Sequence, residues 1–92
     1  MNLVTCATKK GNNYDPYERI TDLGGHSTKG NFHMTSEDMI RDIESGKYSY
    51  WVNVGGKTVE IIVATRNGRK YLKTTTDGYE PNNLLALGDC KS

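Results

Sequence analysis

The sequence predicts an α+β domain: a four- to five-stranded, mostly antiparallel sheet with one helix packed on one face. Three observations predict it. Two two-residue turn signals, Gly55-Gly56 and Asn67-Gly68, separate alternating apolar segments and so spell a three-stranded meander. One amphipathic stretch near the middle carries both the start and the stop signals of a helix. Two further short segments in the N-terminal third have the composition of strands.

In chain order, "LVTCATKK" (3–10) alternates weakly and reads as a first strand. "GNNYDPY" (11–17) is a loop, because Gly, Asn and Asp-Pro all favour turns. "RITDL" (19–23) is a short second strand closed by Gly24-Gly25, and "GGHSTKGNFH" (24–33) reads as a second long loop. In "MTSEDMIRDIESGK", Thr35 sits at the N-cap position with Asp38 three residues on, and Met34 and Met39 stand where a hydrophobic staple places them. Glu37 and Asp38 occupy the first turn, where the helix dipole favours negative charge, and Gly46 is a natural residue to end the helix. Met39, Ile40 and Ile43 form one apolar stripe, so the helix covers its neighbour with one side only.

The meander fixes its own register. A tight turn at 55–56 pairs Val54 with Lys57, Val52 with Val59, Tyr50 with Ile61 and Tyr48 with Val63. A tight turn at 67–68 pairs Arg66 with Arg69, Ala64 with Tyr71, Val63 with Leu72, Ile62 with Lys73 and Ile61 with Thr74. One face then collects Tyr48, Tyr50, Val52, Val54, Val59, Ile61, Val63 and Leu72, which a one-residue slip would scatter. The helix is expected on that face. The other face carries Trp51, Asn53, Thr58, Glu60, Ile62, Ala64, Tyr71, Lys73 and Thr75.

Length and composition bound the function. Ninety-two residues, 35% hydrophobic and 25% charged, make one domain over 1–92 with a core too small to spare apolar positions. Twelve Lys and Arg against 11 Asp and Glu leave a net charge of +1, so a charged partner must be met by a local patch. "MNLVTCATKKGNN" lacks the apolar core of a signal peptide, no stretch approaches membrane-spanning length, and the expected location is the cytosol. Cys6 and Cys90 lie far apart in sequence and do not suggest a disulfide scaffold.

Four kinds of site can be weighed. Trp51, Tyr71 and Lys73, with Arg66, Arg69 and Lys70 at the hairpin end, have the chemistry to stack on and neutralise a nucleotide or single strand. The competing reading covers Trp51 and Ile62 with other strands and leaves a solvated basic hairpin. The threonine run 74–76 reads as β-propensity, since Thr74 points inward and Thr75 outward, and Asp77-Gly78 reads as the turn that ends the strand. His26, His33, Cys6 and Cys90 match zinc in number but no compact zinc signature in spacing, so no metal or cofactor is assigned. No nucleophile elbow, phosphate loop or dinucleotide fingerprint is present, and Asp22, Asp77 and Asp89 sit at strand ends or turns, so the expectation is a protein that is not an enzyme.

The ending "KYLKTTTDGYEPNNLLALGDC" resembles that of a family of small bacterial and phage proteins, domain of unknown function 3892. The matching positions are Tyr71, Leu72, Lys73, Thr74, Asp77, Asn83, Leu84, Leu85, Leu87 and Cys90, with Gly88 where the family has Pro. "RITDLGG" (19–25) resembles the family's upstream Ile-Thr-x-Ile-Gly-Gly element, and Cys6 sits where an N-terminal-strand cysteine often occurs. The resemblance implies no catalytic residues. It implies a compact accessory protein of a bacterial or phage genome that works by binding, and in its sharper form a phage counter-defence protein that inhibits a host protein or sequesters a nucleotide. The partner would meet the Trp51/Tyr71/Lys73 face, the Arg66–Lys70 hairpin or the 24–33 loop. The alternative is a nucleic-acid-binding module using the same sheet face and basic hairpin. Unpaired strand edges and an exposed Trp51 would also suit a homodimer. Leu84, Leu85 and Leu87 are expected to plug one end of the core from a short helical loop over 81–87, with Cys90 a structural thiol near the first strand.

Overall fold

A computed structural model describes residues 2–9, 19–66, 68–78 and 82–90 of the chain. The expected loop 11–17, Asn67 of the second turn and Pro81 lie outside these residues. The described elements are β1 (Asn2–Lys9), β2 (Ile20–Ser27), β3 (Gly30–Thr35), α1 (Ser36–Glu44), β4 (Tyr50–Val54), β5 (Lys57–Arg66), β6 (Arg69–Thr74) and the short α2 (Asn82–Leu85). The strands form a six-stranded sheet in the order β3-β2-β1-β4-β5-β6. Every neighbouring pair is antiparallel except β1 with β4, which is parallel over Asn2–Val4 and Tyr50–Val52. A chain with one central parallel pair needs a crossover there, and α1 supplies it between β3 and β4.

The meander has the register its turns dictate. Val54 pairs with Lys57 and Val52 with Val59, and the second hairpin runs from Arg66 opposite Arg69 to Ile61 opposite Thr74. Gly55 and Gly56 take φ of 57° and 85°, the left-handed values of a tight hairpin turn that glycine reaches without penalty. The helix is also as expected. Thr35 caps it by accepting from the Asp38 N–H at 3.2 Å, and Gly46 ends it at φ 74°. Met39 is fully buried, with Met34, Ile40 and Ile43 packed around the same core. That core joins Val4, Ala7, Ile20, Leu23, Tyr50, Val52, Ile61, Leu72 and Leu84.

The structure corrects the expectation in two places. The sheet has six strands and is mixed, because 24–33 is not a loop: Gly24 to Ser27 completes β2, and 30–33 begins β3. Glycine inside β2 has a packing reason. A Cβ on Gly25 would lie 1.8 Å from the Leu3 carbonyl oxygen, so the close approach of β1 at an irregularity between Val4 and Cys6 admits no side chain. Tyr48, expected on the core face, precedes β4 and is 45% exposed. Cys90 lies beside the first strand as expected, and the pairing that the sequence left open is made: Cys6 and Cys90 form a disulfide, with Cα atoms 5.0 Å apart, because the C-terminal segment returns to β1.

That return fills a gap. β1 pairs with β4 only as far as Val4. Beyond it, the Ala7 N–H donates to the Gly88 carbonyl at 3.0 Å. The Lys9 ammonium donates to the Leu85 and Leu87 carbonyls and pairs with Asp89 at 3.4 Å. Leu84 is buried at 0% exposure as the expected plug, and Leu85 and Leu87 pack beside it.

Candidate functional site

The sheet face opposite α1 does not assemble the expected basic and aromatic platform intact. Trp51 is half-buried between Leu3 and Glu60 on the neighbouring strands. Tyr71 is only 5% exposed, so its ring is covered. Lys73 turns back on its own strand end and donates to the carbonyls of Asp77 and Gly78 at 3.4 and 3.1 Å. Lys70 points to the helix side, where it pairs with Glu44 at 2.8 Å. Arg66 and Arg69 remain side by side at the exposed hairpin end. Of six expected site residues, the fold leaves this arginine pair and the edge of Trp51 on one accessible face.

The carboxylates considered for catalysis are engaged elsewhere. Asp89 pairs with Lys9. The Asp22 carboxylate accepts from Thr21 and contacts His33 Nε2 at 2.7 Å. The Thr21 hydrogen bond, with a smaller contribution from His33, holds its carboxyl below the ordinary aspartate range despite the opposing effect of burial. Asp77 sits at the centre of a knot. Its Oδ2 accepts from the Thr74 N–H and the Thr74 hydroxyl, both at 3.0 Å, and its Oδ1 accepts from the Asn83 N–H at 3.2 Å. The Asn83 amide donates to the hydroxyls of Thr74 and Thr76 at 2.7 and 2.9 Å. Thr74, at 0% exposure, is thereby a satisfied buried hydroxyl, and the knot ties the end of β6 to the start of α2.

This knot yields a prediction. Asp77→Asn retains the shape but turns an amide N–H₂ toward at least one donor. The expected loss is about 2 kcal/mol, the value of hydrogen bonds to a charged acceptor. Urea unfolding of the two proteins measures it, and an unchanged midpoint would show that the knot is not holding the strand end.

The concave surface lies elsewhere, at the end of the core beside the β2–β3 turn. There Asn2, Ser27, Thr28, Lys29, Phe32, Met34, Asp42, Tyr48 and Tyr50 line a groove of about 270 Å³. Its position follows from the chain path: β3 supplies Phe32 and Met34, α1 supplies Asp42, and the segment entering β4 supplies Tyr48 and Tyr50. Phe32 and Tyr50 meet edge to face, ring centroids 5.7 Å apart. The Tyr50 hydroxyl donates to Asp42 Oδ2 at 2.8 Å. Burial first, and the Asp42 carboxylate second, push the Tyr50 phenol far above its ordinary value, so it stays a neutral donor. Tyr48 stands open at the rim with the Lys47 ammonium 5.5 Å from its ring centroid. Two ammonium groups, four hydroxyls, one carboxylate and three aromatic rings thus meet at one mouth. Ser27, Thr28, Lys29 and Phe32 belong to the 24–33 segment named as a candidate partner surface, whereas Asn2, Met34, Asp42, Tyr48 and Tyr50 were not expected beside it, because they come from separate elements scattered from 2 to 50.

A second depression, about 340 Å³, lies on the face opposite α1 and is lined by Thr5, Gly24, Gly25, Asn31 and Phe32 together with Cys6, His26, His33 and Cys90. The residues considered for zinc line that one depression, the two cysteines bonded to each other, and no group of three His, Cys, Asp or Glu side chains is placed to hold a metal among the described residues. No helix among those residues is long and apolar enough to cross a membrane.

A family model described as a protein of unknown function (DUF3892) matches residues 4–88. No curated protein and no solved structure matches the chain significantly.

Proposed function

The chain belongs to the DUF3892 family, and from that premise we propose that it is a non-enzymatic binding protein of a bacterial or phage accessory genome that holds a nucleotide in the Phe32/Tyr48/Tyr50 groove. The groove itself carries the reading. A nucleobase offers a flat π-face and ring-edge donors, and its phosphate is an anion. Tyr48 offers a face to stack on, Asp42 a carboxylate to accept from the base edge, and Lys29 and Lys47 the charge for the phosphate. The volume lies just below the usual small-molecule range, which suits one ring system with a short polar arm. Holding a signalling nucleotide out of circulation is the counter-defence role such a protein would play.

Calorimetry of the untagged protein with adenine and guanine mononucleotides and a cyclic nucleotide tests this. Tyr48→Ala is expected to weaken binding by roughly tenfold or more, the usual value of one base–aromatic stack, and Lys29→Ala to weaken it in a salt-dependent manner. Trp51→Ala, Lys73→Ala and Arg69→Ala should bind as the parent does. The reading fails if no nucleotide binds, or if the Trp51, Lys73 and Arg69 variants lose binding while the groove variants keep it. That last pattern would return the site to the sheet face.

A further inference from the structure

We propose that the free edge of β3 is a self-association surface, on which a second copy of this chain adds its own β3 antiparallel to make one continuous sheet. This goes beyond the nucleotide groove and is measured without any ligand. β3 and β6 are the two edges of the six-stranded sheet. An unpaired edge is a template for another strand, and proteins blunt it with charge, proline or a bulge. β6 carries Arg69, Lys70 and Lys73 and is guarded in that way. β3 runs Gly30, Asn31, Phe32, His33, Met34, Thr35, with no Lys, Arg, Asp, Glu or Pro. Its pairing with β2 is regular from Gly30 to Thr35, so no bulge twists it away.

Hydrogen-bond alternation decides what this edge offers. Ser27 and Gly30 close the two-residue β2–β3 turn and form its hydrogen-bonded pair. Alternation from there turns the N–H and C=O of Phe32 and Met34 toward β2, and those of Asn31 and His33 outward. Asn31 and His33 are both exposed. Thr35 leaves the strand to cap α1, so a new ladder ends at Met34. The longest two-fold pairing within Gly30–Met34 is centred on Phe32. It sets Asn31 of each copy opposite His33 of the other, and each such pair exchanges two main-chain hydrogen bonds.

The side chains fit that register. Phe32 stands opposite Phe32 of the second copy, in a non-hydrogen-bonded pair, where side chains come closest. Phe32 and Met34 are only half-buried against the core, so each copy has apolar surface left for the other to cover. Met34 falls opposite Gly30 of the second copy. A Cβ on Gly30 would meet nothing within 4 Å, so the space for the methionine is open.

Charge favours a second copy as the occupant. The pairing carries the β2–β3 turn of one copy, with its exposed Lys29, to the start of α1 in the other, with exposed Glu37 and Asp38. The two-fold makes that approach twice, once at each end of a ladder whose middle is uncharged. A net charge of +1 per chain leaves little repulsion between copies. A parallel pairing would instead set Lys29 beside Lys29, so the antiparallel arrangement is the one selected.

Sedimentation equilibrium of the untagged, full-length protein from about 1 μM to about 1 mM, with the disulfide intact, is the test. The expected mass rises from one chain to two and no further, since β6 stays guarded. Amide exchange reads the register. The Asn31 and His33 N–H groups are expected to slow by about tenfold or more as the dimer forms, and those of Phe32 and Met34, already bonded to β2, to change less. Asn31→Lys adds a charge to the edge, and Asn31→Pro removes an outward donor that β2 does not use. Each is expected to weaken association by about tenfold or more, with an unchanged circular dichroism spectrum. Should Asn31→Pro fail to fold, Asn31→Lys decides alone. Trp51→Ala should associate as the parent does. A chain still single at about 1 mM, assemblies growing past two, a dimer that Asn31→Lys leaves intact, or one whose Asn31 and His33 amides stay fast would each overturn the proposal.

Discussion

Cys6→Ser and Cys90→Ser are each expected to lower stability by about 2–5 kcal/mol, among the largest effects of any single change in this molecule. The bridge closes a loop of 84 residues, nearly the whole chain. Loop-closure entropy for such a length has an upper value of about 4–5 kcal/mol, because the unbridged unfolded chain has that much more freedom to lose. A small domain has only about 5–15 kcal/mol in total, so the loss is a large share. Thermal melts in the presence of a chelator check it. The midpoint should fall by more than about 8 °C in either serine variant. The parent should fall by the same amount under reductant, whereas the variants should not respond. Coincident melts of oxidised and reduced parent would show that the non-covalent contacts of residues 82–90 alone hold the ends together.

The second large effect is at Leu84. Leu84→Ala is expected to cost about 2–5 kcal/mol, for a fully buried leucine whose cavity the surroundings cannot fill. Collapse into that space is restricted on three sides. Asn83 is bonded to Thr74 and Asp77, Gly88 to Ala7, and Cys90 to Cys6. α2 is a four-residue helix with no stability of its own, so it is helical only because Leu84 is in the core. Leu85→Ala, at a partly buried position, serves as the comparison and should cost visibly less. Denaturant midpoints of the two variants decide the matter, and equal small losses in both would mean that α2 merely rests on the surface.

The residues that carry the resemblance are the parts of one fastening. Thr74, Asp77 and Asn83 make the knot, Leu84 makes the plug, and Leu85 and Leu87 pack beside it. Lys73 binds the carbonyls of the turn, and Cys90 bridges to Cys6. The upstream Gly24-Gly25 belongs to the same device, since Gly24 makes room for the two sulfurs and Gly25 for the Leu3 carbonyl. These residues therefore join the ends of this fold, and Phe32, Tyr48 and Tyr50 of the groove are not among them.

Much of the architecture was legible because it is encoded locally. Turn glycines and period-two alternation set the meander's register residue by residue, and capping plus an apolar stripe set α1. The sixth strand was not legible, since Gly24, Gly25 and Gly30 are poor strand formers taken alone, and only pairing with β1 and with each other makes β2 and β3 extended. The expected site on Trp51, Tyr71 and Lys73 rested on face alternation, which holds. Alternation cannot say that Tyr71 will be covered or that the Lys73 ammonium will bend back to residues 77 and 78.

By itself, then, the sequence determined the class of fold, the helix and the meander register, which rest on interactions between near neighbours in the chain, and the family, which rests on residue identities alone. Only the tertiary structure decided the parallel β1–β4 pair, the Cys6–Cys90 bridge and the two depressions on the surface. Each joins residues far apart in sequence, and no local propensity reports on a contact whose partner is dozens of residues away.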